Sequence, residues 1–128
     1  MVLDAGKPAF PRLDPSPGIY RLTFTSTAAQ PATRLYIGET ENLHRRLSVN
    51  YRHPGPSQQT NVRINALLRE QLTAGGAVCL AAATSATVWI GNQEQHLDLT
   101  GRNGRLLAES AALVYARAAG DAQVVNLG

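Results

Sequence analysis

Five arginines crowd one stretch of this chain. Arg45, Arg46, Arg52, Arg63 and Arg69 fall between Asn42 and Arg69, a window that holds no acid and so carries +5, with His44 and His53 beside them. The guanidinium fork matches phosphate oxygens better than the point charge of a lysine does. Of the 12 basic residues only Lys7 is a lysine, which leaves 11 arginines. Such a band is the electrostatic footprint that a nucleic-acid backbone would call for. A solvated helix surface would carry the same charges, so the arginines alone do not separate the two readings.

A second pattern is more specific. Gly18-Ile19-Tyr20 is followed by Tyr36-Ile37-Gly38. Average residue usage would place two such tripeptides so close together in about one chain in ten thousand. The pair resembles the signature of the GIY-YIG endonuclease family. Arg46 stands ten residues after Tyr36 and is followed by Leu47, as in many relatives. Glu109 lies in the last expected helix, and Asn126 lies 17 residues beyond it. The resemblance runs from Gly18 to Asn126, most closely over residues 18–47.

Cutting a phosphodiester needs an activated water, a way to absorb charge on phosphate, and relief for the leaving oxygen. A divalent cation can polarise phosphate oxygens and activate water. Magnesium keeps several waters and often takes only one or two carboxylates. A tyrosine is a poor base at its ordinary pKa near 10, but a neighbouring cation makes its deprotonated form accessible. The resemblance assigns the parts. It implies Tyr20 as general base or water-orienting group, Tyr36 as a hydrogen-bond partner of water or phosphate, and Arg46 as the phosphate clamp. It implies Glu109 as the ligand of one Mg2+ or Mn2+, and Asn126 as a structural brace. Gly18 and Gly38 would allow close backbone packing. Arg45, Arg52 and Arg63 would meet the nucleic-acid backbone.

Two positions depart from the pattern. Glu39 stands where many relatives carry a lysine, and Asn50 stands four residues after Arg46, where several carry a histidine. His53, seven residues after Arg46, is the nearest histidine in that direction and is read as a relay for the proton from Tyr20, the competing reading being a loop residue before Pro54. The alternative function is a catalytically inactive module on the same fold that binds nucleic acid or protein.

These residues need elements to hold them. Residues 18–27 alternate, with Tyr20, Leu22 and Phe24 on one face, which predicts a half-buried strand. Residues 34–38 form its return, antiparallel because so short a link cannot make a parallel crossover. Thr40 is expected to cap a helix over 42–50, ended by His53-Pro54. Thr60 or Asn61 is expected to cap a second helix over 62–72, with Ile64, Leu67, Leu68 and Leu72 as its stripe. Residues 77–84 read as a central strand, with Cys79 packed inside it. Residues 86–90 read as a shorter strand and 95–99 as an irregular return, with Trp89 in the core. Asn103 is expected to cap a last helix over 104–119, stopped by Gly120. Residues 123–127 read as a short terminal strand or docked segment. Residues 1–17, with four prolines, read as an extended arm or an ordered coil on the surface, with fraying expected. The order β-β-α-α-β-α predicts an α+β fold: a small, mainly antiparallel central sheet flanked by helices. The expected division is an arm over 1–17 and a nuclease-like domain over 18–128.

Composition sets limits on class. With 128 residues the chain suits one domain. An apolar content of 44% argues against disorder over most of its length. One cysteine excludes an internal disulfide framework and a four-cysteine zinc site. The longest apolar run, Ala77–Ala83, is too short to span a bilayer. The first residues do not read as a signal peptide. The expectation is a cytoplasmic endonuclease that hydrolyses DNA with one Mg2+ or Mn2+, of repair, restriction or mobile-element type. RNA stays open as a substrate, no membrane is involved, and a targeting protein or additional domain would supply sequence recognition.

Overall fold

The computed structural model describes residues 1–126, so Leu127, at the end of the expected terminal segment, lies outside the described residues. The fold is mixed α and β with three helical segments. A four-stranded sheet forms its centre. Gly18–Phe24 (β3) pairs antiparallel with Arg34–Thr40 (β4) on one side and with Val78–Ala83 (β5) on the other. Gln123–Val124 (β8) adds in parallel beside β4, so the order is β5-β3-β4-β8. Val2–Asp4 (β1) pairs with Lys7–Ala9 (β2), and Ala86–Ile90 (β6) pairs with Gln93–Leu97 (β7), each as a separate hairpin. The helical segments are a π-helical stretch over Arg45–Tyr51, Gln59–Thr73 (α1) and Arg102–Ala119 (α2). No helix among the described residues is long and apolar enough to cross a membrane.

The core follows from the strand alternation. Tyr20, Leu22 and Phe24 turn to one face of the sheet with Tyr36 and Val78, and there they meet Leu43, Leu47, Tyr51, Ile64 and Leu68. Truncating any one of these large apolar side chains to alanine costs about 2–5 kcal/mol. α2 packs against β3, β4 and β8. An apolar groove of about 550 Å³ remains between the C-terminal half of α2 and β5, lined by Ala112, Ala116 and Ala119 facing Ala81 and Ala83.

Several local expectations needed correction. Residues 1–17 are not a plain extended arm. Ala5 (φ 50°) and Gly6 (φ 75°) turn the chain into the β1–β2 hairpin, Pro8 is buried, and Met1, Phe10 and Leu13 pack on the core. Two successive positive φ values make the kind of turn that suits a tight hairpin, and the proline count obscured it. The strand over 78–83 is an edge strand, not a central one, and Cys79 is exposed. A run of small apolar residues imitates a strand buried on both faces, but alanines form such a run without needing two packing partners. Residues 93–97 form a regular strand, and Trp89 is 68% exposed. The helix caps also differ. Asn42, not Thr40, caps the first helix by accepting the Arg45 N–H (2.8 Å). Gln58 precedes α1, and Gly101 precedes α2. Gly120, in the left-handed region (φ 71°), stops α2 as expected.

Candidate active site

The two tripeptides meet in register. Tyr20 pairs with Gly38 across β3 and β4, and Gly18 pairs with Thr40. The Tyr20 ring and hydroxyl lie directly over Gly38, where a Cβ would collide with them. Gly18 is hemmed in the same way by the Ala83 carbonyl and Leu43. Both glycines are thus required by close approach, not by an unusual φ.

Tyr36 and Tyr51 complete an aromatic cluster around Tyr20. The Tyr20 and Tyr36 ring centroids are 6.3 Å apart, and Tyr51 meets Tyr20 edge-on at 6.1 Å. The Tyr20 and Tyr51 hydroxyls share a hydrogen bond. Tyr51 was not among the residues singled out from the sequence, for a reason of helix geometry. An α-helical count places Asn50 one turn after Arg46. The segment is instead π-helical, with i→i+5 bonding, so Tyr51 takes that place above Arg46. The signal was present in the stripe Leu43, Leu47, Tyr51, all three of which are buried.

Arg46 reaches the same hydroxyls. Burial opposes its charge, yet the Tyr20 and Tyr51 oxygens raise its pKa above the usual arginine value. Its Nε atom is buried without a partner. All three phenols are pushed well above the ordinary tyrosine value, first by burial and then by one another, while Arg46 pulls each of them back.

Glu109 approaches from α2. Burial and the charge of Glu39 raise its carboxyl pKa, whereas the Glu39 backbone N–H and Arg46 oppose the rise. The Glu109 charge is also felt at Tyr36. The carboxylate therefore lies beside the Glu39 backbone, within electrostatic reach of Tyr36 and Arg46. Glu39 itself is held by Arg105, whose Nε donates to Oε2 at 2.7 Å. Arg105 is buried and donates also to the Leu99 and Thr100 carbonyls. This counter-ion of Glu39 stands one helical turn before Glu109 on α2, where no local motif marks it.

Asn126 braces β4. Its Oδ1 accepts the Ile37 N–H (3.0 Å) and its Nδ2 donates to the Ile37 carbonyl (2.6 Å), which extends the β8 pairing by a side chain. Arg63 lies 6.0 Å from the Tyr36 ring centroid and donates to the Val125 carbonyl (3.1 Å). Arg52 is turned to the N-terminal hairpin, donating to the Pro8 carbonyl (2.9 Å) and to Asp4 (3.0 Å). Arg45 pairs with Glu41 on the surface (2.6 Å). His53 is exposed with its Nδ1 3.1 Å from Lys7 Nζ. The Tyr20 hydroxyl that it was expected to serve is bonded to Tyr51 instead. The site thus draws together Tyr20, Tyr36, Arg46, Glu109 and Arg63, and leaves His53, Arg52 and Arg45 engaged elsewhere.

Among the described residues no group of three or more His, Cys, Asp or Glu side chains stands together as a metal cluster. Among the described residues at the site, Glu109 is half-buried and could meet a cation, while the neighbouring Glu39 carboxylate is held by Arg105. That suits magnesium, which accepts one or two carboxylates and fills its remaining positions with water and phosphate oxygens. No protein-family model, curated protein or solved structure matches the chain.

Proposed function

We propose that this chain is a metal-dependent endonuclease of the GIY-YIG type, hydrolysing DNA phosphodiester bonds. The observation that carries the reading is the convergence of Tyr20, Tyr36 and Arg46 with the Glu109 carboxylate at one end of the β3–β4 pair. These groups come from four separate elements, β3, β4, the π-helical stretch and α2. A core needs apolar contacts there, not two phenols, a guanidinium and a carboxylate.

The chain's own residues divide the work. Arg46 meets the phosphate and offsets the charge that grows on it during attack. Tyr36 orients the attacking water or a phosphate oxygen through its hydroxyl. Glu109 would hold Mg2+ or Mn2+, which would lower the pKa of bound water and polarise the phosphate. Tyr20 would accept the proton of the attacking water, or orient it through its hydroxyl. With its hydroxyl pushed far above the ordinary value, it is not a ready-made phenolate, so it acts as a base only when a nearby cation brings that value down. Tyr51, bonded to Tyr20, fixes the direction of that hydroxyl.

One observation favours the second reading, a module that binds without cutting. Tyr20 is only 2% exposed and Tyr51 is fully buried, so their hydroxyls could serve as a satisfied polar core. The two readings separate in one experiment. The purified chain is incubated with supercoiled plasmid in Mg2+, in Mn2+ and in EDTA, alongside Glu109→Gln. Nicking that needs the cation and disappears in the variant supports hydrolysis. DNA binding that survives EDTA, with no nicking in either metal, rejects it in favour of the module.

A further inference from the structure

The central sheet is open at β5. Thr25, just past β3, donates its N–H to the Ala77 carbonyl (3.1 Å). The alternation of an antiparallel ladder carries this bonding to the pairs Thr23–Cys79, Arg21–Ala81 and Ile19–Ala83. The N–H and C=O groups of Val78, Leu80 and Ala82 therefore turn away from β3. None of them has a hydrogen-bond partner among the described residues. An open strand edge is a template for another strand, and proteins blunt it with lysine, proline or a bulge. β5 reads VCLAAA, without charge or proline, and its register with β3 is unbroken.

Each face beside this edge carries an apolar groove. On the α2 side, Ala81 and Ala83 line the groove of about 550 Å³. On the other side, Val78 and Leu80 line one of about 380 Å³ with Met1, Val2 and Phe10 of the N-terminal segment. Successive side chains of an added strand would point alternately to the two sides. The occupant must therefore be extended and apolar on both faces. That is the character of β5 itself, with Val78, Leu80 and Ala82 on one face and Cys79, Ala81 and Ala83 on the other. A foreign peptide would meet the edge but present a new open edge on its far side. A second β5 closes both edges at once, because the contact is isologous.

We propose that β5 pairs antiparallel with β5 of a second copy of this chain, joining two sheets into one. Backbone parity fixes the register. Outward-turned residues pair only with outward-turned residues. The fullest overlap sets Leu80 opposite Leu80 of the second copy, and Val78 opposite its Ala82. Every outward N–H and C=O of both strands is then met, and the uncharged strands bring no like charges together at the axis. Ala82 neighbours Tyr20 in the sheet, so the two Tyr20 residues would share one sheet with only the paired β5 strands between them. The pairing uses none of the groups invoked for hydrolysis, so it stands or falls apart from the nuclease reading.

The register gives a specific test. Cys79 of one copy stands opposite Ala81 of the other, with Cα atoms about 4.5 Å apart, a span that a disulfide can bridge. The two native Cys79 residues are diagonal neighbours at about 7–8 Å, a span that it cannot. Both positions are exposed. The purified chain, Ala81→Cys and Ala82→Pro are weighed by sedimentation equilibrium, and each is run on a non-reducing gel after mild oxidation. Expected is a parent dimer that oxidation leaves uncross-linked, and near-complete cross-linking of Ala81→Cys. Ala82→Pro removes an outward N–H and spares the bonds to β3. It should raise the dissociation constant at least about tenfold with an unchanged circular dichroism spectrum. A parent chain that stays monomeric overturns the proposal. So does a dimer that Ala82→Pro leaves as tight as before, or one in which Ala81→Cys cross-links no better than the parent chain. If Ala82→Pro fails to fold, the mass of the parent chain and the cross-link decide alone.

Discussion

Two arginines are drawn into the same core, toward opposite ends of the β3–β4 pair. Arg34 pairs in register with Phe24 at one end, and Arg46 meets Tyr20 and Tyr51 at the other. Each has a buried Nε atom without a partner. Their surroundings differ. Arg34 lies 5.5 Å from the Phe24 ring centroid and donates to Gln71 Oε1 (3.3 Å). Gln71 in turn donates to the Thr25 and Ala77 carbonyls. Those partners are neutral amides and a ring, none of which is an ionisable group. Arg46 is instead surrounded by phenols, with Glu109 within electrostatic reach. Burial of a cation does not by itself mark a site. Neighbours that can gain or lose a proton do.

The comparison yields predictions of decreasing size. Glu109→Gln and Arg46→Leu should each lower Mg2+-dependent nicking by at least about a hundredfold, whereas Arg34→Leu should leave the rate per folded molecule near that of the parent chain. Equal losses in all three would erase the distinction between the two ends. On stability the order reverses. Arg34→Leu should cost about 1–3 kcal/mol by leaving Gln71 Oε1 without its donor, measured by urea denaturation.

The phenols set an alkaline limit. Tyr20 and Tyr51 have pKa values raised above the ordinary tyrosine value by burial, so the folded chain keeps those protons after the unfolded chain has lost them. The stability they contribute is whole below about pH 10 and falls as pH climbs from there toward the folded values. Melting temperatures by circular dichroism between pH 8 and 11 should fall steeply at the top of that range, and less steeply in Tyr51→Phe. A parallel loss in both proteins would show that the cluster is open to solvent. The smallest effect is expected for His53→Ala. The pH profile of cleavage should be unchanged, because the Tyr20 hydroxyl is bonded to Tyr51. A shifted profile would restore the proton relay through His53.

Much of this arrangement was legible in the residues. The alternation of Tyr20, Leu22 and Phe24, and the short link to Tyr36, predict an antiparallel pair that brings the two tripeptides together. The stripe through Ile64 and Leu68 predicts α1, and Gly120 predicts the end of α2. What escaped depended on features with no simple period. The Ala5-Gly6 turn was hidden among prolines, and the alanines of β5 carried no sign of lying at an edge. The π-helical register moved Tyr51 into the position that an α-helical count gives to Asn50.

By itself, then, the sequence determined that β3 and β4 pair and which face of β3 is buried, because side-chain alternation and turn length are local properties. It also placed the two glycines at positions where a Cβ would strike a neighbour. Only the tertiary structure decided which ionisable groups face one another. Arg105 neutralises Glu39, Tyr51 takes the Tyr20 hydroxyl, and the Glu109 carboxylate reaches the end of β4. Such pairings join residues tens of positions apart, and they are chosen by the packing of α2 and the π-helical segment against the sheet. No local rule of spacing encodes that packing.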